Sequence, residues 1–389
     1  MLYVTFHGYP PGSKGGVNNI YGYDETQSPP QPYVNILENV DPDKTAELRG
    51  MLLANGLLYV ASGSKDASFV YSFSPDAKNP GFFQNQTLFV SSSIPGVAHP
   101  FDFTFQQLDT TQQWYISNQN TNVVVVVTST APYTSCQAGS LAPYLRALWD
   151  ALAQEKHPPL PADEFVSTTF VASADNDAPL PQVVVVDPDW GGLSASISGG
   201  QVQNSVRDVL LYNGVLYVAD EVGNAVRMYD PVNGTPWGNT SVPSPVHIIG
   251  YDRNIYVSSN NSVLYGAAPS APSTSPPLPT KFKQSDQPVP PYPKPPQGYK
   301  DAVQLTLTDF GLGLPSELPD PSGQTKSVGV SGMAFGGTAN FYVALREQQQ
   351  IYIATPDTQK PGSYKPATSY ITGLPDQPEF LLWTQTPSP

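Results

Sequence analysis

Strand-sized apolar runs recur along the chain every few dozen residues, and six of them carry one phrase: an apolar residue, Tyr, then Val or Ile. The copies are Leu2-Tyr3-Val4, Leu58-Tyr59-Val60, Trp114-Tyr115-Ile116, Leu216-Tyr217-Val218, Ile255-Tyr256-Val257 and Phe341-Tyr342-Val343. A small residue follows each: Thr5, Ala61, Ser117, Ala219, Ser258 and Ala344. Aromatic and β-branched residues favour strands, and self-similarity at this spacing marks a repeat architecture. The constant small residue predicts that each unit packs closely on the next.

Each of these strands, B, is preceded through a short turn by a strand A. Asn55-Gly56 and Asn213-Gly214 suit the type I′ turn, which needs positive φ at both central residues. Asp252-Arg253-Asn254 and Gly336-Gly337-Thr338 take that place in other copies. Strand C is expected at Asn19–Tyr23, Phe69–Phe73, Val123–Val127, Ala225–Tyr229, Val263–Tyr265 and Ile351–Ile353. A weaker strand D is expected at Tyr33–Leu37, Thr87–Ser91, Val303–Leu307 and Ser369–Thr372. Four antiparallel strands repeated six times predict an all-β fold, a six-bladed β-propeller.

The A strands begin near Leu48, Phe101, Arg207, Val246, Ser331 and Glu379. The first B strand has no A strand before it, and the last A strand, Glu379 to Trp383, has no B strand after it. The C-terminal segment is therefore expected to supply the inner strand of the first blade and close the ring. Residues 1–389 then form one propeller domain with insertions at about 131–205 and 267–300. The first insertion holds an expected helix, Ser140 to Lys156, with Leu141, Leu145, Leu148 and Leu152 on one face. A hidden seventh blade around Phe165 to Val186 is the alternative, and no Tyr-Val strand supports it. The second insertion, Ala267 to Lys300, is dense in Pro and Ser and reads as an extended loop. It is either a rigid surface excursion or a ligand for an SH3-like groove on a protein partner.

Composition narrows the function. Charged residues make up 13% of the chain against a usual ~25%, and its 43 prolines are about twice the usual share. A net charge of −14 argues against nucleic acid and against anionic membranes. No apolar run approaches the ~20 residues of a membrane-spanning helix. Cys136 is the sole cysteine, which excludes internal disulfides and thiolate metal sites and reads as a structural thiol. The N-terminus has no leader pattern and enters a strand at Leu2, so a leader is expected to be absent from this chain. Low charge and a Ser-, Thr- and Asn-rich surface point to an extracytoplasmic protein. Sequons at Asn85, Asn233, Asn239 and Asn260 permit glycosylation.

The candidate chemistry comes from the A strands, which line the central channel of a propeller. Aligned by apolar register, they place Gly50, Asp102, Asp208, His247, Gly332 and Glu379 at one level, with Arg49 and Arg207 one step nearer the entrance. Three carboxylates and an imidazole on one axis repel unless a cation or the arginines compensate. An oxygen-rich set with one imidazole suits calcium, magnesium or manganese, calcium first. An ion held by Asp102, Asp208, His247 and Glu379 would polarise a carbonyl, with Glu379, Asp208 or His247 in acid–base roles. Without an ion, Asp208 is expected to pair with Arg49, and Asp102 with Arg207. His7 ends the first B strand beside the Tyr9 to Gly16 loop and overhangs the same face, so it joins Arg49 and Arg207 as a candidate ligand-binding residue. The Asp187 to Gly192 stretch reads as a turn, and His157 as a helix-terminal residue. No GxSxG, P-loop or HExxH pattern occurs.

At Tyr217-Val218-Ala219-Asp220, then Asn224 and Val226-Arg227-Met228-Tyr229-Asp230, the chain resembles the NHL repeat. Through it the chain resembles the six-bladed propellers that include the gluconolactonase (senescence marker protein) and strictosidine synthase-like families. The Trp-Asp ending of WD-type blades is absent, since Trp149-Asp150 falls in the expected helix. The gluconolactonase resemblance implies an ion at the channel mouth held by a Glu, two Asn and an Asp. Glu379 falls where that Glu would be, and Asp102 or Asp208 where another ligand would be. The family's Arg-Pro-Asn-Asp-Gly segment corresponds to His99-Pro100-Phe101-Asp102-Phe103, with Phe in place of a ligand Asn. The strictosidine synthase-like resemblance implies one catalytic Glu without a metal, a role open to Glu379.

Two functions are expected. One is an enzyme acting on a small molecule, such as a lactone or ester, at the channel mouth. The other is a non-catalytic propeller that binds a ligand or a protein through its loops.

Overall fold

The repeated Tyr-Val phrase forms strand B of six antiparallel blades. The computed structural model describes residues 1–10, 15–64, 67–92, 94, 97–108, 111–120, 123–130, 205–231, 236–272 and 303–385, with strand pieces at 169–170, 183–184, 197–198 and 201–202. Cys136, Ser140–Lys156, His157 and the Asp187 turn lie outside the described residues, as does most of the Pro-rich segment.

Blade 1 takes its inner strand A from Pro378–Trp383, followed by B at Leu2–Phe6, C at Ile20–Tyr23 and D at Pro32–Tyr33. Blade 2 runs Leu48–Ala54, Leu57–Ser64, Ala67–Pro75 and Phe83–Ser91. In blade 3, Pro100–Leu108, Thr111–Asn118 and Val123–Thr130 are followed by Val183–Val184, which pairs onto strand C. Thr169–Phe170 then pairs onto Val183–Val184. The two described strand pieces of the interval considered for a seventh blade therefore extend blade 3. Blade 4 is Val206–Tyr212, Val215–Asp220, Ala225–Tyr229 and Pro236–Ser241. Blade 5 is Pro245–Tyr251, Asn254–Ser259, Ser262–Ala267 and Thr308–Asp309, so the Pro-rich segment leaves after C and returns before D. Blade 6 is Val330–Phe335, Phe341–Leu345, Gln350–Ala354 and Thr368–Ile371. Each A strand touches the A strands on either side, and the ring closes between blades 6 and 1.

Local chemistry explains the repeat. Asn55-Gly56 and Asn213-Gly214 take the positive φ pairs of a type I′ turn (51° and 73°, 51° and 75°). Asp252-Arg253 adopts the same conformation without a glycine, at 44° and 63°. The repeated tyrosine reaches beyond its own blade. Tyr3 Oη donates to Gly81 O of blade 2 at 3.2 Å, and Tyr115 Oη to Pro231 O of blade 4 at 2.9 Å. The small residue after it serves the inner strand. Thr5, Ser117 and Ser258 hydroxyls accept the N–H groups of Phe380, Asp102 and His247, at 3.1, 2.9 and 2.9 Å. Those N–H groups lie where each A strand loses register with its B strand, as at a β-bulge. In the copy resembling the NHL repeat, Asp220 accepts the Gly223 N–H and holds Arg227 Nε at 3.0 Å, both side chains buried.

The outer strands depart from expectation. Val303 to Leu307 is not strand D of blade 5. The Val303 N–H bonds Trp237 O of blade 4, and Val303 and Leu305 sink into the core between the two blades. Blade 4's own strand D, Pro236–Ser241, carries Pro, Gly, Asn and Ser and has no apolar alternation to announce it. Among the described residues no helix is long and apolar enough to cross a membrane.

Candidate active site

The pairing of the inner strands sets the levels around the axis. Leu381, Met51, Phe103, Val209, Ile248 and Met333 sit opposite the Val or Ile of the repeated phrase. One residue earlier lie Phe380, Gly50, Asp102, Asp208, His247 and Gly332. Two earlier lie Glu379, Arg49, Phe101, Arg207, Val246 and Ser331. Glu379 therefore stands with the arginines at the mouth, and Phe380 takes the sixth place at the deeper level. This corrects the expected register by one residue, and the shared hydroxyl partners of Phe380, Asp102 and His247 support it independently.

At the mouth, Glu379 is buried yet ringed by cations. Its Oε1 lies 2.7 Å from His7 Nδ1 and 3.1 Å from Arg346 Nη2. Burial works against its charge, but Arg49, the His7 hydrogen bond and Arg346 outweigh that and hold the carboxyl down at about 2. Arg346 Nη2 also lies 2.9 Å from His7 Nδ1. An ionised oxygen at 2.7 Å cannot face a lone pair, so Nδ1 carries a proton and donates it to Glu379. Arg346 then serves the same carboxylate and only abuts the ring. In the neutral ring this leaves the lone pair on Nε2. His7 is half-buried, its side chain 37% exposed.

Arg49 does not reach Asp208. Its Nη1 donates to His7 O at 3.1 Å and Leu48 O at 3.2 Å, and its Nη2 is 4.0 Å from Glu47. Arg207 does not reach Asp102. Its Nε donates to Glu221 at 2.7 Å and its Nη1 to Gln119 Oε1 at 3.0 Å, with the guanidinium 4.8 Å over the Phe101 ring.

Below this level, Asp102, Asp208 and His247 do converge, with one ligand atom of each within 4.8 Å of the others. Asp208 and His247 each hold backbone N–H groups. Asp208 accepts the Val209 N–H at 2.6 Å through Oδ1 and the Ile248 N–H through Oδ2. His247 Nδ1 accepts the Met333 N–H at 2.8 Å, so the neutral ring carries its proton on Nε2, 3.6 Å from Asp208 Oδ2. A protonated ring nitrogen has no lone pair for a cation. Burial and the neighbouring Asp208 carboxylate push Asp102 well above the usual carboxylate range, which favours its protonated form. With Glu379 at another level, this set does not fit a resident calcium ion, and no step below runs through one.

Several mouth residues escape a motif search. The position four after each repeated Tyr ends strand B at the mouth: His7, Gly63, Gln119, Glu221, Asn260 and Arg346. Five of these donate their N–H to the residue just before an A strand, namely Gln377, Glu47, His99, Ser205 and Gly329. Reading that position across the six copies would have found Arg346, Gln119 and Glu221. His99 has no such signal. It takes φ 55°, and its ring lies over Gly63, where a side chain is missing. Burial, then Arg49 and Arg207, lower it to about 3, so the imidazole is neutral, with Nε2 buried and unpartnered among the described residues.

A Cβ at Gly63 would come within 2.9 Å of the His99 ring and 3.1 Å of Arg49 Cγ. Gly63→Ala is expected to destabilise by about 1–3 kcal/mol and to shift the His99 ring resonances. An unchanged melt and spectrum would show that the ring has other room.

No protein-family model and no curated protein matches the chain. Solved structures similar to it include a periplasmic gluconolactonase of Pseudomonas aeruginosa, 15% identical over 100% of both chains with a TM-score of 0.48. A protein from Lactobacillus plantarum is 11% identical over 98% of both chains, TM-score 0.49. A putative 6-phosphogluconolactonase from Bacteroides uniformis is 14% identical over 98% of both chains, TM-score 0.43. What the strands themselves establish is a six-bladed β-propeller with a charged mouth.

Proposed function

We propose that the protein hydrolyses a small ester or lactone at the channel mouth, with His7 as general base and Glu379 as the carboxylate that orients it. The observation that carries this is the 2.7 Å contact between a buried, ionised Glu379 and His7 Nδ1. A base whose tautomer is set by a buried acid is the arrangement nucleophile activation needs. His7 Nε2 takes a proton from water as the water oxygen bonds to the carbonyl carbon. The carbonyl electron pair moves onto oxygen, where Arg346, about a third exposed, offers a compensating charge. Collapse breaks the bond to the alkoxide, which takes the proton back from His7, and the product is a hydroxy acid or an acid and an alcohol.

Two of the similar structures are named a gluconolactonase and a putative 6-phosphogluconolactonase. That sets lactones first among substrates to try, followed by aryl esters, with chelator-treated protein. His7→Gln is expected to lower turnover about 10²–10⁴-fold with the fold intact. Undiminished turnover in that variant would overturn the assignment. Ligand binding without turnover in the wild type would leave the non-catalytic propeller in its place.

A further inference from the structure

Near the axis, a hydrogen bond crosses every seam between blades. Arg49 Nη1 donates to His7 O across the first seam at 3.1 Å, and the His99 N–H to Ser68 Oγ across the second at 2.9 Å. Ser117 Oγ donates to Arg207 O across the third at 2.6 Å. The Ile248 N–H bonds Asp208 across the fourth, and the Met333 N–H bonds His247 at 2.8 Å across the fifth. Ser331 Oγ closes the sixth on Pro378 O at 2.6 Å.

We infer that Asp208 and His247, with Asp102 beside them, form a metal-free clasp that fastens blades 4 to 6 at the axis, and are not a cation site. Asp208 and His247 each bridge from their own inner strand to the backbone of the next, and the bond at His247 Nδ1 puts the ring proton on Nε2, the nitrogen that faces Asp208. Each Asp208 oxygen is held in place by one backbone N–H, from Val209 and from Ile248. Recruiting His247 through Nε2 would require a proton on Nδ1, directly against the Met333 N–H. Asp208 and His247 are also closed off from solvent, while Asp102 is half-buried. Phe380 packs edge-on against His247 at 4.8 Å and against Phe101 at 5.3 Å. Asp102 fills the space above Gly50, where any Cβ would overlap its carboxyl. Asp208 has no exposed surface and His247 is 5% exposed. The clasp stands whether or not the mouth is catalytic.

The test combines thermal melts and calorimetric titration of chelator-treated protein with calcium, magnesium, manganese and zinc ions. Asp208→Asn is expected to melt several degrees below wild type, because its amide group sets N–H donors against backbone N–H donors. Asp102→Asn is expected to melt at or above wild type, because an amide replaces one of two crowded carboxyls. None of the four ions is expected to raise the wild-type melt more than that of either variant. A rise present in wild type and lost in both variants would overturn the clasp, as would an unchanged melt for Asp208→Asn. Should Asp208→Asn fail to fold, wild type and Asp102→Asn decide alone. A heat of metal binding lost in Asp102→Asn would overturn the proposal, and its absence from both proteins would support it.

Discussion

Removing Pro378 to Pro389 is expected to open the ring. This segment supplies strand A of blade 1 and pairs with Leu2–Phe6. Phe380 and Leu381 are 2% and 6% exposed, and each buried side chain of this kind contributes about 1.5–3 kcal/mol. Its loss would uncover strand B of blade 1 along its full length, and an open strand edge pairs with other chains. It would also remove Glu379 from beside Arg49. Size-exclusion chromatography should show aggregate in place of the wild-type peak. A truncated monomer that melts at the wild-type temperature would contradict the closure.

Glu379→Ala is expected to be the most damaging single substitution at the mouth. Arg49 is buried, and its other acidic neighbour, Glu47, stands 4.0 Å away. Removing the carboxylate takes the partner from His7 and Arg346, each about a third exposed, and leaves buried Arg49 with only Glu47 as an acidic neighbour, at a cost of about 1–3 kcal/mol. Denaturant midpoints measure it, and a loss under about 1 kcal/mol would show that water or Glu47 already carries Arg49. The same interaction fixes a pH dependence. The folded carboxyl is held at about 2, below its ordinary value of 4.5. The contribution is therefore complete above pH 4.5 and is lost as pH falls from there towards 2. Wild type should show that acid-side loss, and Glu379→Gln should not.

The ring was legible because each blade repeats the same local physics. The Tyr reaches the neighbouring blade, the hydroxyl or Ala after it faces the inner strand, and Asn-Gly supplies the turn. The orphaned A strand at the C-terminus was readable for the same reason, since each half of the hairpin implies the other. The register of that strand was not. Phe380 to Trp383 is an unbroken apolar run, so period-two alternation cannot say which residue faces Val4. The irregularity at the start of every inner strand adds a shift that composition does not report. That single step moved Glu379 from the aspartates to the arginines, and with it the candidate chemistry from the axis to the mouth. His7 was visible as the end of a strand. Arg346 was visible only as the sixth member of a position-specific set, and His99 only through the room that Gly63 leaves.

The central claim is that Glu379 sets the proton of His7. Long-range nitrogen–proton NMR of the imidazole rings tests it directly, and four histidines keep the spectrum sparse. His7 in its neutral form should show the Nδ1–H tautomer in wild type and lose that preference in Glu379→Gln. His247, bonded through Nδ1 to the Met333 N–H, should show the opposite tautomer in both proteins and serve as the internal reference. An Nε2–H tautomer at His7 in wild type would mean that Nδ1 accepts from Arg346, that no base faces the mouth, and that the hydrolase reading is wrong.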